Sequence, residues 1–227
     1  MHRFFVESGT LSENRLALPP AIAHQVTRVL RLHDGERIVL LENDGGEAVC
    51  RLDGGALVVE ERRAVRGEPR HRLTVCQALL KGDALEGVIQ HGTELGVAAF
   101  QLIVTRRCVA RELSARKLER LRTIAREAAE QSERGRIPSV EAPVPLAEAV
   151  AAGSLLLHER RAAPRLSDVA AAERILLGPE GGWEDEEVGA ALAAGATLAS
   201  LGPRILRSES VALAAAAVVL SATGDFA

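Results

Sequence analysis

Arg174-Ile175-Leu176-Leu177-Gly178-Pro179-Glu180-Gly181-Gly182-Trp183-Glu184-Asp185-Glu186-Glu187 is the stretch that decides the fold class. A short apolar run passes into a Gly-Pro loop, and four acidic residues then open a helix. In an open parallel sheet, ligands bind beyond the carboxyl ends of the strands, and glycines there let a ligand approach the backbone. The loop is therefore a ligand-loop candidate, and taken alone it is equally a plain strand-to-helix turn. The acidic residues suit the positive end of a helix and would repel a phosphate. Neither the Walker pattern nor the dinucleotide glycine pattern occurs in the chain. A cationic ligand such as a sulfonium would tolerate such surroundings.

Further apolar runs lie at 73–80, 98–104, 154–158 and 197–201. Helical patterns separate most of them, the clearest at 114–130 with Leu118, Leu121, Ile124, Ala125 and Ala128 on one face. This alternation implies a parallel sheet covered by helices. A second loop, Leu201-Gly202-Pro203-Arg204-Ile205-Leu206-Arg207-Ser208-Glu209-Ser210, leads into an apolar helix at 211–220 that Ser208 or Ser210 can cap. Apolar on nearly all sides, that helix needs burial between the sheet and something else, most simply a second subunit. The first part of the chain has another rhythm. Strands at 37–41, 47–52 and 56–61 are joined by hairpin signals, another strand lies at 3–6, and a short helix follows Pro19-Pro20. These features divide the chain into domains 1–69 and 70–227.

The 227 residues are 47% hydrophobic and 26% charged, with a net charge of −3. Residues 71–140 are basic, and 141–227 are acidic. Lysine occurs only at Lys81 and Lys117, so nearly all positive charge is guanidinium, suited to bidentate phosphate contact. With four Phe, one Trp and no Tyr, a stacking platform for bases is not expected, and any nucleic-acid contact would rest on arginine. Cys50, Cys76 and Cys108 are scattered and read as reduced structural thiols, with no metal site. The apolar run at 211–220 is too short for a membrane span, and the start lacks a signal peptide, so a cytoplasmic location is expected.

Six motifs in order, HRFFV at 2–6, IQHGTELGV at 89–97, TRRCVAR at 105–111, REAAEQSERGRIPSV at 126–140, GPEGG at 178–182 and LGPRILRSES at 201–210, together resemble the RsmE family of ribosomal RNA methyltransferases. Their order and spacing match across almost the whole chain. The resemblance implies an α/β knotted SPOUT methyltransferase domain, with a parallel sheet and a C-terminal trefoil knot, preceded by a small PUA-like β-barrel domain that binds RNA. It implies S-adenosyl-L-methionine (SAM) as cofactor, a homodimer through the knotted domain, and small-subunit (16S) ribosomal RNA as substrate, methylated at N3 of a uridine. Carried over by position, the cofactor contacts are Leu156, Leu157, His158, Leu177, Gly178, Pro179, Glu180, Gly181, Gly182, Leu201, Gly202, Ile205, Leu206 and Arg207.

N3 of uridine carries an imide proton and must be met on an unpaired or extruded base. Transfer from a sulfonium is an in-line displacement in which positioning dominates, and a cation can stabilise the charge spread onto the uracil oxygens. Arg207 is the first choice for that role, and Glu180 or Glu209 could accept the proton. Arg3, Arg28, Arg31, Arg106, Arg107 and Arg111 are the expected RNA contacts. Alternatives are methylation of another RNA base, a non-catalytic RNA-binding assembly factor, or a metabolic enzyme using another nucleotide.

Overall fold

The structure, a computed structural model, describes residues 1–169 and 171–226. They form two compact units, Met1–Glu68 with Ala129–Ile137, and Pro69–Ala128 with Pro138–Ala227. A single break near residue 70 did not anticipate that 129–137 belongs with the first unit.

In the first unit, β1 (His2–Phe5), β2 (Arg15–Ala17), β3 (Arg37–Leu41), β4 (Gly46–Asp53) and β5 (Ala56–Ala64) make one sheet in the order β1-β3-β4-β5-β2. β3, β4 and β5 are the antiparallel meander expected from the turn signals, and β1 runs parallel to β3. Gly54 and Gly55 both have positive φ, 61° and 79°, which a two-residue turn matched to the strand twist requires. Alternating residues fill two cores. One face buries Phe4, Ile38, Leu40 and Cys50 together with Ile22 and Val26; the other buries Phe5, Val39, Leu41 and Val49 with Ala129. The second face explains why 129–137 joins this unit. Asn43 Oδ1 accepts the Ile137 N–H at 2.7 Å, and Glu130 Oε1 accepts that of Phe5 at 2.9 Å. After α1 (Pro20–His24) the chain makes a π-helical turn, Gln25–Val29.

The second unit contains β6 (Thr74–Ala78), α2 (Ala84–Leu95), β7 (Ala99–Val104), α3 (Ala115–Gln131), β8 (Ser139–Pro145), α4 (Leu146–Ala149), β9 (Leu155–Leu157), β10 (Arg174–Leu177), α5 (Asp185–Ala193), β11 (Thr197–Ala199) and α6 (Ser208–Ala222). The last residues of α3 count with the first unit. All six strands are parallel, in the order β11-β9-β10-β6-β7-β8. The five expected runs are all strands. β8 was not expected, because Pro143 and Pro145 argue against a strand; it lies at the edge, where missing N–H donors are tolerated. A Cβ on Gly92 would lie 2.8 Å from the Phe100 ring, so the glycine in the 89–97 motif lets α2 press on β7. α6 packs on α2, β6 and β10 with Ala212, Ala215, Ala216, Val219 and Leu220 buried, while Val211, Leu213 and Val218 are partly exposed.

Candidate active site

From β6 the chain builds β7 and β8 on one side, while β10, β9 and β11 lie on the other. Such a reversal opens a crevice at the carboxyl ends of the strands. There the loops after β6, β9, β10 and β11 enclose a cavity of about 580 Å³, within the usual range for small-molecule sites.

Trp183 fixes its floor. The indole is 6% exposed, and Nε1 donates to the Leu157 carbonyl at 2.9 Å, joining the loop after β10 to the end of β9. A Cβ on Gly178 would come within 3.1 Å of the indole, so any larger residue there would press on the buried Trp183. Gly182 has φ +71°, a left-handed conformation that also favours glycine. Ser208 does not cap α6 as expected. Its Oγ donates to the Gly178 carbonyl at 2.5 Å and accepts from Gln77 Nε2 at 3.1 Å, tying the start of α6 to the loop after β10 and to β6.

Glu180 reaches across the mouth, where its Oε1 accepts the Lys81 backbone N–H at 2.8 Å. The charged side chains lining the cavity are Lys81, Arg204 and Arg207 against Glu159, Glu180 and Glu209, a balanced set. The acidic run 184–187 lies elsewhere. Glu184 and Glu187 form a capping box on α5, and arginines take up the remaining charge: Arg107 binds Glu184 at 2.7 Å, Arg106 pairs with Glu186, and Arg161 pairs with Asp185. Hydrogen bonds from Arg107 and Arg161 hold the Glu184 and Asp185 carboxyls below their ordinary range. The acidic run therefore does not supply the cation-tolerant surroundings read from the sequence.

Of the expected cofactor contacts, Leu157, His158, Gly178, Pro179, Glu180, Gly182, Leu201, Gly202, Ile205, Leu206 and Arg207 line the cavity, and Glu209 joins them. Leu156 and Leu177 are fully buried in the sheet. Gly181 faces the other way: a Cβ there would meet Arg107 Cβ at 3.0 Å. Sequence reasoning missed Lys81, Glu159, Arg204 and Trp183. Lys81 had a legible signal, since it directly follows an expected strand, the same criterion that singled out the loop at 178–182.

The expected RNA contacts divide. Arg106 and Arg107 are ion-paired, and Arg111 donates to the Arg106 carbonyl at 2.7 Å. Arg3 is a correction, because its side chain is only 8% exposed and binds the buried Glu47 at 2.5 Å, a core ion pair rather than an open surface cation. Arg28 and Arg31 are exposed at and just after the π-helical turn.

Residues 67–220 match the family of RNA methyltransferase domains, and residues 18–61 match the RNA methyltransferase PUA domain. The chain belongs to the RNA methyltransferase family. A ribosomal RNA small subunit methyltransferase E from Synechocystis is 37% identical over 94% of this chain and 76% of its own length. One from Mycobacterium bovis is 38% identical over 86% and 80%. The crystal structure of a ribosomal RNA small subunit methyltransferase E from Neisseria gonorrhoeae, bound to S-adenosyl methionine, superposes with a TM-score of 0.88 at 29% identity over 97% of both chains. The RsmE-type resemblance read from the motifs holds. This RNA methyltransferase has a SPOUT-like fold with a parallel sheet and a PUA-like first domain. No helix among the described residues is long and apolar enough to cross a membrane.

Proposed function

We propose that the chain methylates N3 of a uridine in small-subunit (16S) ribosomal RNA, with SAM as methyl donor. The observation that carries this reading is the cavity at the carboxyl ends of the strands, built from the two loops at 178–182 and 201–208. Its residues fit SAM: Gly182 leaves backbone approachable, Leu157, Ile205 and Leu206 give apolar surface, and acidic and basic groups are both present for a zwitterionic ligand. SAM supplies an electrophilic methyl group on a sulfonium. Arg207, which lines the cavity together with Arg204 and Lys81, stabilises negative charge on the uracil oxygens as N3 loses its proton. Glu209 is the acceptor we favour for that proton, because Glu180 already holds the Lys81 N–H and so ties the loop after β10 to the loop after β6.

The same reading makes 1–69 the RNA-binding domain, barrel-like and contacting RNA through Arg28 and Arg31, and 70–227 the methyltransferase domain with its C-terminal segment threaded as a trefoil knot. The partly exposed Val211, Leu213 and Val218 of α6 support a homodimer through this domain, and a ribosomal RNA substrate supports a cytoplasmic location.

Titration calorimetry with SAM tests the site. Wild type binds, and Gly178→Val, whose extra methyls crowd Trp183 and the cavity floor, loses binding while its circular dichroism stays native. A folded wild type that binds no SAM, with or without RNA, contradicts the reading and favours a non-catalytic assembly factor.

A further inference from the structure

His158 directly follows β9, where its backbone N–H donates to the Ala199 carbonyl at 3.0 Å, and its half-buried ring lines the cavity. The backbone N–H groups two and three residues further on, those of Arg160 and Arg161, both turn back onto His158 Nδ1, at 3.0 and 3.2 Å. A ring nitrogen can accept those bonds only through its lone pair, so Nδ1 carries no proton and the neutral ring holds its proton on Nε2. An imidazolium would set a third N–H against the other two. We infer that His158 is a positioning residue for the methyl donor: its unprotonated Nδ1 folds the 158–161 turn into a cavity wall, and its neutral ring adds no positive charge to that wall beside a cationic sulfonium. This rests on the cavity being the SAM site.

Burial, the largest influence, lowers the His158 pKa from its usual value of 6.5; Glu159 and Asp185 oppose that, and Arg161 and Arg160 add to it. The other charged groups lining the same cavity are Lys81 from the loop after β6, Glu180 from the loop after β10, Arg204 and Arg207 from the loop after β11, and Glu209 from α6. Above its ordinary pKa the ring is neutral and the wall intact. In acid, protonation breaks both bonds to Nδ1 and places a cation at the wall, so affinity for SAM falls.

An asparagine separates positioning from bulk, because its Oδ1 can take the place of Nδ1 as an acceptor and does not titrate. SAM affinity is measured by calorimetry from about pH 8 to about pH 5, the range in which histidine changes charge, for wild type, His158→Ala and His158→Asn. The expected result is a loss of about tenfold, the equivalent of about 1.4 kcal/mol, for His158→Ala at the alkaline end. His158→Asn recovers most of that loss, and its affinity stays level in acid while that of wild type falls. A His158→Asn protein with the wild-type acid decline, or one as weak as His158→Ala, overturns the role of His158 and leaves the cavity assignment standing. A folded wild type that binds no SAM at the alkaline end overturns the cavity assignment and this inference together.

Discussion

Glu47 is 5% exposed and lies between two guanidinium groups, Arg3 at 2.5 Å and Arg63 at 2.5 Å. Burial alone would raise its pKa; the hydrogen bonds from Arg63 and Arg3 outweigh burial and hold the carboxyl below its ordinary value of 4.5. A carboxylate lowered on folding contributes stability that is complete above its unfolded pKa and is lost as pH falls through the folded one. Acid unfolding below about pH 4.5 should therefore be shallower in Glu47→Gln than in wild type. Arg3→Ala leaves a buried carboxylate with one partner fewer and should cost about 3 kcal/mol in urea unfolding at neutral pH. If Arg3 contacts RNA instead of holding the core, stability will hardly change and RNA affinity will drop. At the active site, Arg207→Ala should lower kcat for methyl transfer about 100-fold, the usual scale for losing a group that stabilises developing charge.

Elements differ in how much of them the sequence reveals. The strands and the amphipathic α3 were legible because period-two and period-3.6 patterns report directly which faces are buried. β8 was hidden by its prolines, and the place of 129–137 was hidden because the packing partner of a helix end is not local information. Ser208 shows the same limit: a serine before an apolar helix reads as a cap, yet its hydroxyl serves Gly178 and Gln77, which are distant in sequence. Among the described residues, Gln77 Oε1 is buried without a hydrogen-bond partner, so the Gln77 amide already lacks one bond. Ser208→Ala removes a partner from its Nε2 as well and should destabilise the second unit by about 1–2 kcal/mol. Parallel losses of SAM affinity would follow from the loosened Gly178. The cavity's outline was legible from loops at strand ends, but the direction of each loop residue was not: Gly181 and the acidic run turn toward arginines from the 105–111 segment and beyond.

At the scale of the whole molecule, one sequence supplies a mixed sheet with two buried faces and a parallel sheet with its site at the strand ends. If RNA is held mainly by arginine, as proposed, its binding should weaken steeply with salt. Sedimentation of the purified protein should give a dimer that a charged residue at Leu213 disrupts, since that side chain is only partly covered in the single chain. The most direct test of the account is transfer of isotopically labelled methyl from SAM to small ribosomal subunits lacking the modification, followed by mass spectrometry of the digested nucleosides. The account predicts label in 3-methyluridine at one site, abolished by Gly178→Val. Label in a different nucleoside, or none with a folded protein that binds SAM, would contradict it.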